Sequence, residues 1–134
     1  MSHPAPLEGV RVIELARILA GPWIGQTLAD LGAEVIKVEA LGLGDPARLL
    51  GKPIEGEAPA TRRWNRGKQS VALDLRHAEG AEVFRALVKE VDAVVEGMRP
   101  GSLARRGLGS ARTGTQHSGA RRTDKCVFCK ALRA

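Results

Sequence analysis

Two cysteines, three histidines, a glycine-rich stretch and scattered carboxylates and cations are the residues here whose types and spacing could do chemistry. Cys126-Val127-Phe128-Cys129 is a lone CxxC. A zinc site needs four ligands and only His117 is an obvious third one nearby, while a redox CxxC belongs after a first strand rather than near a chain end. His3, His77 and His117 are far apart and lack metal-ligand spacing, so they read as surface residues, His77 near a helix start. Gly42-Leu43-Gly44-Asp45 lacks the third glycine of a dinucleotide fingerprint and does not follow a first strand. Neither Gly51-Lys52 nor Gly67-Lys68 has a glycine five positions before its own, which excludes a Walker-type phosphate loop. Asp30, Asp45, Asp74 and Asp92 fall at helix, turn or strand boundaries, and no Ser, His and acid set is suggested by spacing. No catalytic residue and no metal ligand is nominated.

The cations remain, and their distribution matters. The 134 residues carry a net charge of +6, but residues 1–109 are nearly neutral at +1 and residues 110–134 hold the other +5. A pI near 10 raises nucleic-acid binding as a possibility, yet the excess sits in a short tail of Ser, Thr, Gly and Arg with Phe128 as its one aromatic, which argues against a specific nucleic-acid partner. The start, MSHPAPLEGV, lacks the basic and apolar regions of a secretory signal. The most apolar stretch, 10–33, is interrupted by Arg11, Glu14, Arg17, Gly21-Pro22 and Asp30, which excludes a membrane span there and leads to a cytoplasmic expectation. With 43% apolar residues the chain can offset the entropy of ordering and build a core.

The elements that must position these groups follow from periodicity. Val10 to Leu15 is a β-branched run bounded by glycine, which suits a strand. Gly21-Pro22 opens a helical pattern in which Ile24, Leu28 and Leu31 form one apolar face that stops at Gly32. Val35 to Glu39 is a second strand, so the three elements make a βαβ unit with parallel strands. Residues 41–63, rich in Gly, Pro and charge, are expected to be a long irregular surface excursion. Ser70 to Leu75 alternates as a strand; Ala81, Phe84, Leu87, Val88 and Val91 give the apolar face of a helix; Asp92 to Glu96 is a further strand; Pro100 to Leu103 starts a short helix. The fold class is α/β, an open, mostly parallel sheet with flanking helices. The expected domains are 1–109 as a partial α/β domain and 110–134 as a basic tail, disordered or aberrant.

A series of blocks carries a resemblance: Pro6 to Leu15 with Ala20-Gly21-Pro22 and Leu28 to Glu39; Gly44-Asp45-Pro46-Ala47-Arg48; Trp64 to Leu75; and Val94 to Leu103. In this order they resemble the N-terminal part of the class III coenzyme A transferases, a family that includes formyl-CoA and carnitine-type CoA transferases and α-methylacyl-CoA racemases. The resemblance covers residues 6–109. It implies a site for CoA or acyl-CoA, whose pyrophosphate and 3′-phosphate need cations and backbone N–H groups at strand ends and helix N-termini. The turn before the first helix nominates Ile18, Leu19 and Ala20, with Arg17 nearby. Asn65, Arg66 and Lys68 supply groups before a strand, and Met98, Arg99 and Arg105 lie after the last one. Trp64 could stack on adenine or cover the sheet edge. The family commonly has Asn where this chain has Gly97.

The resemblance further implies transfer of CoA between an acyl-CoA and a free carboxylic acid through an aspartate that attacks the thioester carbonyl. That aspartate, like the acid and base of the racemase branch, lies downstream of the last block, so a fragment inactive alone is expected. A racemase fragment and a non-catalytic CoA-binding or interaction module are the alternative expectations. Homodimers are implied for full-length relatives. The sharp change in composition after Gly109 suggests truncation, a reading-frame change or a gene-model error in residues 110–134.

Overall fold

The computed structural model describes residues 3–108 and 128–131. Five strands form one sheet: β1 (Arg11–Leu15), β2 (Glu34–Glu39), β3 (Lys68–Ala72), β4 (Ala93–Glu96) and β5 (Phe128–Ala131), in the order β3-β2-β1-β4-β5. The first four are parallel, and β5 runs antiparallel along β4. Within the tail expected to have no sustained strand, four residues therefore pair with an edge whose N–H and C=O groups would otherwise be open. The rest of 110–134, with His117 and Cys126, lies outside the described residues.

Helices α1 (Ala20–Asp30), α2 (Pro59–Asn65), α3 (Ala78–Lys89) and α4 (Ser102–Arg105) complete the chain. Successive strand residues point to opposite faces, and the two faces have separate cores. Toward α3, Ile13, Leu15 and Val38 pack with Ala81, Phe84, Val88 and Val91. The spacing expected for the α3 helix places these residues inward, and full burial of each larger side chain is worth ~1.5–3 kcal/mol. Toward α1, Val12, Val35 and Val95 meet Ile24, Leu28 and Ala29.

Three expectations need correction. The buried residues of α1 are Gly21, Pro22, Gly25 and Gln26, whereas Ile24 and Leu28 are half-buried and Leu31 is exposed. Small residues win because α1 lies so close to the sheet that a Cβ at Gly21 would stand 2.1 Å from Ala16 Cβ and one at Gly25 2.0 Å from Glu14 Oε2. The supposed irregular excursion contains a 3₁₀ turn, Pro46–Leu49, and most of α2, both opened by proline in the first turn. β3 also begins two residues before the expected Ser70, because its exposed outer positions blur the alternation.

Candidate functional site at the carboxyl rim

β1 is central, β2 and β3 lie to one side, and β4 lies to the other. Strand order therefore reverses between β1 and β4, and in open α/β sheets the crevice outside the carboxyl ends at such a switch point is where ligands bind. Two turns meet there. The turn after β1, residues 16–19, leads into α1, and the turn after β4 begins at Gly97, whose N–H donates to Leu15 O at 3.2 Å. Gly97 faces Ala16 so closely that a Cβ would stand 3.1 Å from the alanine Cβ.

Ile18 and Leu19 are exposed at 47% and 44%, which makes this an apolar lip on the rim. Ala20, also exposed, starts α1. Across from them Met98 packs partly into the α3-side core, and Arg99 is exposed just before α4. Arg105 is exposed on α4, folded back so that its Nη1 would touch a Cβ at Gly101 at 3.2 Å. Gly101 caps α4 in the left-handed region, φ 77°, where a side chain would be strained. Neither Arg17, Arg99 nor Arg105 forms an ion pair among the described residues.

The second group of nominated residues is elsewhere. Lys68 is the first residue of β3 and is in register with Val35 near the start of β2, so its backbone lies at the amino edge of the sheet. Its side chain is 1% exposed: Nζ meets Glu14 Oε2 at 2.5 Å and donates to Pro22 O at 2.7 Å and to Asn65 Oδ1 at 3.3 Å. Lys68 is thus a buried structural cation, not a group presented to a phosphate. Burial lowers its pKa from the ordinary lysine value, against the opposing pull of Glu14. Arg66 holds Asp30 at the end of α1, 2.7 Å away, and Asn65 faces Lys68. The single crevice expected to gather Lys68 and Arg99 does not form, because strand direction sends their backbones to opposite edges.

A groove of about 360 Å³ runs between α1 and α2, lined by Leu19, Trp23, Gln26, Asp30, Trp64 and Arg66, with Thr27 and Arg63. That volume lies within the ~300–1,000 Å³ of small-molecule clefts. Leu19 belongs both to the groove and to the rim, so the two are continuous, and Trp64 is half-buried along the groove wall.

Sequence reasoning missed a chain of buried charges beneath α1. Glu14 and Lys37 are direct register partners on β1 and β2, 0% and 2% exposed, and Lys37 Nζ donates to Glu14 Oε1 at 2.6 Å and to Ala16 O at 3.0 Å. Asp45, after β2, sets Oδ2 2.9 Å from Lys37 Nζ as an ion pair outside hydrogen-bond alignment. Its Oδ1 accepts from Ile18 N–H and Ala47 N–H, each at 2.9 Å. Burial pushes the Asp45 pKa up, but the N–H groups of Ala47 and Ile18 and the Lys37 ammonium outweigh it and hold the carboxyl below its ordinary value. Lys68, Glu14, Lys37 and Asp45 alternate in sign. Aligning the two strand sequences, RVIEL on EVIKVE, would have revealed the central pair.

The other carboxylates are engaged structurally: Asp92 accepts from Arg11 N–H at 2.9 Å, and the Arg76 guanidinium, 2.7 Å away, holds the Asp74 carboxyl well below the usual range. His77 caps α3.

The family model described as CoA-transferase family III matches residues 7–117, past the expected limit at 109. A succinate–glutarate CoA-transferase of Agrobacterium fabrum is 49% identical over 110 residues, covering 77% of this chain and 28% of that protein. The human succinyl-CoA:glutarate CoA-transferase is 43% identical, covering 81% of this chain and 25% of its own length. Among solved structures, a CAIB/BAIF family protein from Brucella suis superposes with a TM-score of 0.76 at 47% identity, covering 83% of this chain and 30% of that one. The chain thus spans little more than a quarter of the length of these relatives, within their N-terminal portion.

Proposed function

The chain belongs to CoA-transferase family III, and from that premise we propose that its carboxyl rim is the CoA-binding part of a cytoplasmic transferase that moves CoA between an acyl-CoA and a free carboxylic acid. The observation that carries this reading is the meeting of the post-β1 and post-β4 turns at the switch point, joined by the Gly97 N–H to Leu15 O bond. Anionic phosphates are taken by Arg99, Arg105 and Arg17, the exposed cations there, and the acyl-pantetheine arm lies along Ile18, Leu19 and Met98. The α1–α2 groove, reached through Leu19, offers Trp64 as a flat surface for a purine. The relatives named for succinyl-CoA and glutarate support a short dicarboxylic acid as the acceptor.

On this reading the chain binds and orients the thioester, and the attack on its carbonyl falls to sequence outside the matched residues. Residues 1–109 act as the binding unit, and assembly with a second copy supplies the remaining walls. Among the described residues no helix is long and apolar enough to cross a membrane.

Calorimetric titration of the purified chain with CoA tests the proposal. Saturable binding is expected, weakened at least about tenfold by Arg99→Ala, the loss of one charge-assisted contact. A folded chain that gives no binding heat, or an Arg99→Ala variant with unchanged affinity, overturns the reading of the rim.

A further inference from the structure

β1 runs into a turn that its own sequence resists. Ile18 has φ 72°, in the left-handed region that a β-branched residue almost never adopts. Leu19 N–H donates to Arg17 O at 3.1 Å, so the turn closes across one residue at positive φ, the rare form of γ-turn. Such a conformation persists only where the surroundings over-determine it.

The surroundings here are identifiable. The Ile18 N–H, the residue's one backbone donor, is taken by Asp45 Oδ1 at 2.9 Å, and Asp45 is 1% exposed. The Asp45 carboxylate is itself fixed on two further sides, by Ala47 N–H at 2.9 Å and by Lys37 Nζ at 2.9 Å. Lys37 reaches back to Ala16 O at 3.0 Å. Arg17 is therefore flanked by two anchors, the Ala16 carbonyl and the Ile18 amide, and both are held by groups that belong to β2 and the segment after it. The block Gly44 to Arg48 gains a physical explanation: Gly44 turns at φ 71°, Asp45 caps the 3₁₀ turn, Pro46 opens it, and Arg48 pairs with Glu39 at 2.9 Å.

We propose that Asp45 is a positioning residue whose carboxylate holds the Arg17–Ala20 turn in its left-handed form and so sets the lip of the rim against which the thioester cofactor lies. This rests on the reading of the rim as the CoA site. The carboxylate acts through the turn and does not touch the ligand. Its charge matters because Lys37 faces it from β2, with Glu14 on β1 and Lys68 on β3 completing the alternation. An amide in its place still offers an oxygen to Ile18 but turns an NH₂ or an uncharged oxygen toward an ammonium.

The test is an assigned amide NMR spectrum of the full chain for the parent, Asp45→Asn and Asp45→Ala, each followed by CoA titration. In the parent the Ile18 and Ala47 amide protons are expected downfield and protected from exchange. Both should move upfield and exchange faster in Asp45→Ala, with CoA affinity lowered about tenfold, and Asp45→Asn should fall between the two. An unmoved, still protected Ile18 amide in Asp45→Ala overturns the proposal, as does a displaced amide with undiminished CoA affinity. If Asp45→Ala does not fold, acid titration of the parent decides. The Ile18 amide should then follow a single carboxylate with a midpoint below the ordinary range, and that titration should vanish in Asp45→Asn; its survival there overturns the assignment. A parent that binds no CoA refutes the reading of the rim, while the amide shifts still decide whether Asp45 holds the turn.

Discussion

The two faces of the sheet are made of alternate residues of the same strands, yet opposite chemistry packs them. Toward α3, Ile13, Leu15 and Val38 meet Phe84 and Val88 in a wholly apolar core. Toward α1, Val12 and Val35 are followed two positions later by Glu14 and Lys37, which join Lys68 and Asp45 in a buried chain of four charges. Desolvating such charges costs several kcal/mol per ion, and well-packed apolar side chains of similar volume often serve stability as well or better. What the charges add is direction. Their hydrogen bonds to the backbone end on Ala16 O, Ile18 N–H and Pro22 O, at or just before the start of α1, and on Ala47 N–H in the 3₁₀ turn after β2. The α3 face holds the fold; the α1 face fixes the rim.

The largest effect that could break this contrast is expected from Glu14→Ala. It leaves Lys37 and Lys68 buried without their shared carboxylate, and the loss should be about 4 kcal/mol, read from the urea midpoint. A triple replacement, Glu14→Leu with Lys37→Met and Lys68→Met, should regain more than half of that stability without regaining CoA affinity. A triple variant that recovers both would show that the charges do not set the rim.

On the opposite face Phe84→Ala should cost about 3 kcal/mol, the usual scale for an emptied aromatic site. The part of the population that remains folded should bind CoA nearly as the parent does, since the Arg17–Ala20 turn is held by Asp45 and Lys37 and not by Phe84. A parallel loss of affinity, measured by calorimetry at a denaturant-free pH where the variant is folded, would mean that both faces govern the site.

The sequence exposed the α3 face far more readily than the α1 face, for a physical reason. Ala81, Phe84, Val88 and Val91 repeat at helical spacing, and β1, β2 and β4 are β-branched runs, so pattern alone places them. The α1 face depends on close approach and on reach, which leave no period. Gly21 and Gly25, not Ile24 and Leu28, lie deepest, and Lys68 starts at the amino edge but extends its ammonium to Glu14. Its place within a family block and beside a strand suggested a ligand contact, when its four-carbon stem serves a structural one. α2 was hidden for a similar reason: PATRRWN is short and polar and has no apolar stripe to betray it.

A smaller effect follows from pH. Because the folded Asp45 carboxyl titrates below its ordinary value near 3.8, the folded chain holds that proton less tightly than the unfolded chain. Its contribution to stability is present above the unfolded value and is lost as pH falls through the folded one. Urea midpoints collected down the acid limb should therefore fall less steeply in Asp45→Asn than in the parent. Equal slopes would detach Asp45 from the charged network and narrow the contrast between the faces to Glu14, Lys37 and Lys68.

The smallest effect comes from the α3 side of the rim, where one charge lacks such a network. Glu96 ends β4 in register with Leu15, two residues after Val94 of the apolar core, and no cation pairs with it among the described residues. Burial alone raises its pKa above 4.5. The sign is then opposite to that of Asp45: between the unfolded and folded values the folded chain binds the proton more tightly, so stability falls as pH rises through that window and a penalty remains at neutral pH. Glu96→Gln should raise the stability read from the urea midpoint at about pH 7 by less than about 1 kcal/mol, and leave it unchanged near pH 4. A gain of the same size at both pH values would trace to a hydrogen bond of the new amide. It would mean that a carboxylate on this face costs nothing, and that the four charges beneath α1 mark no special allowance by the fold.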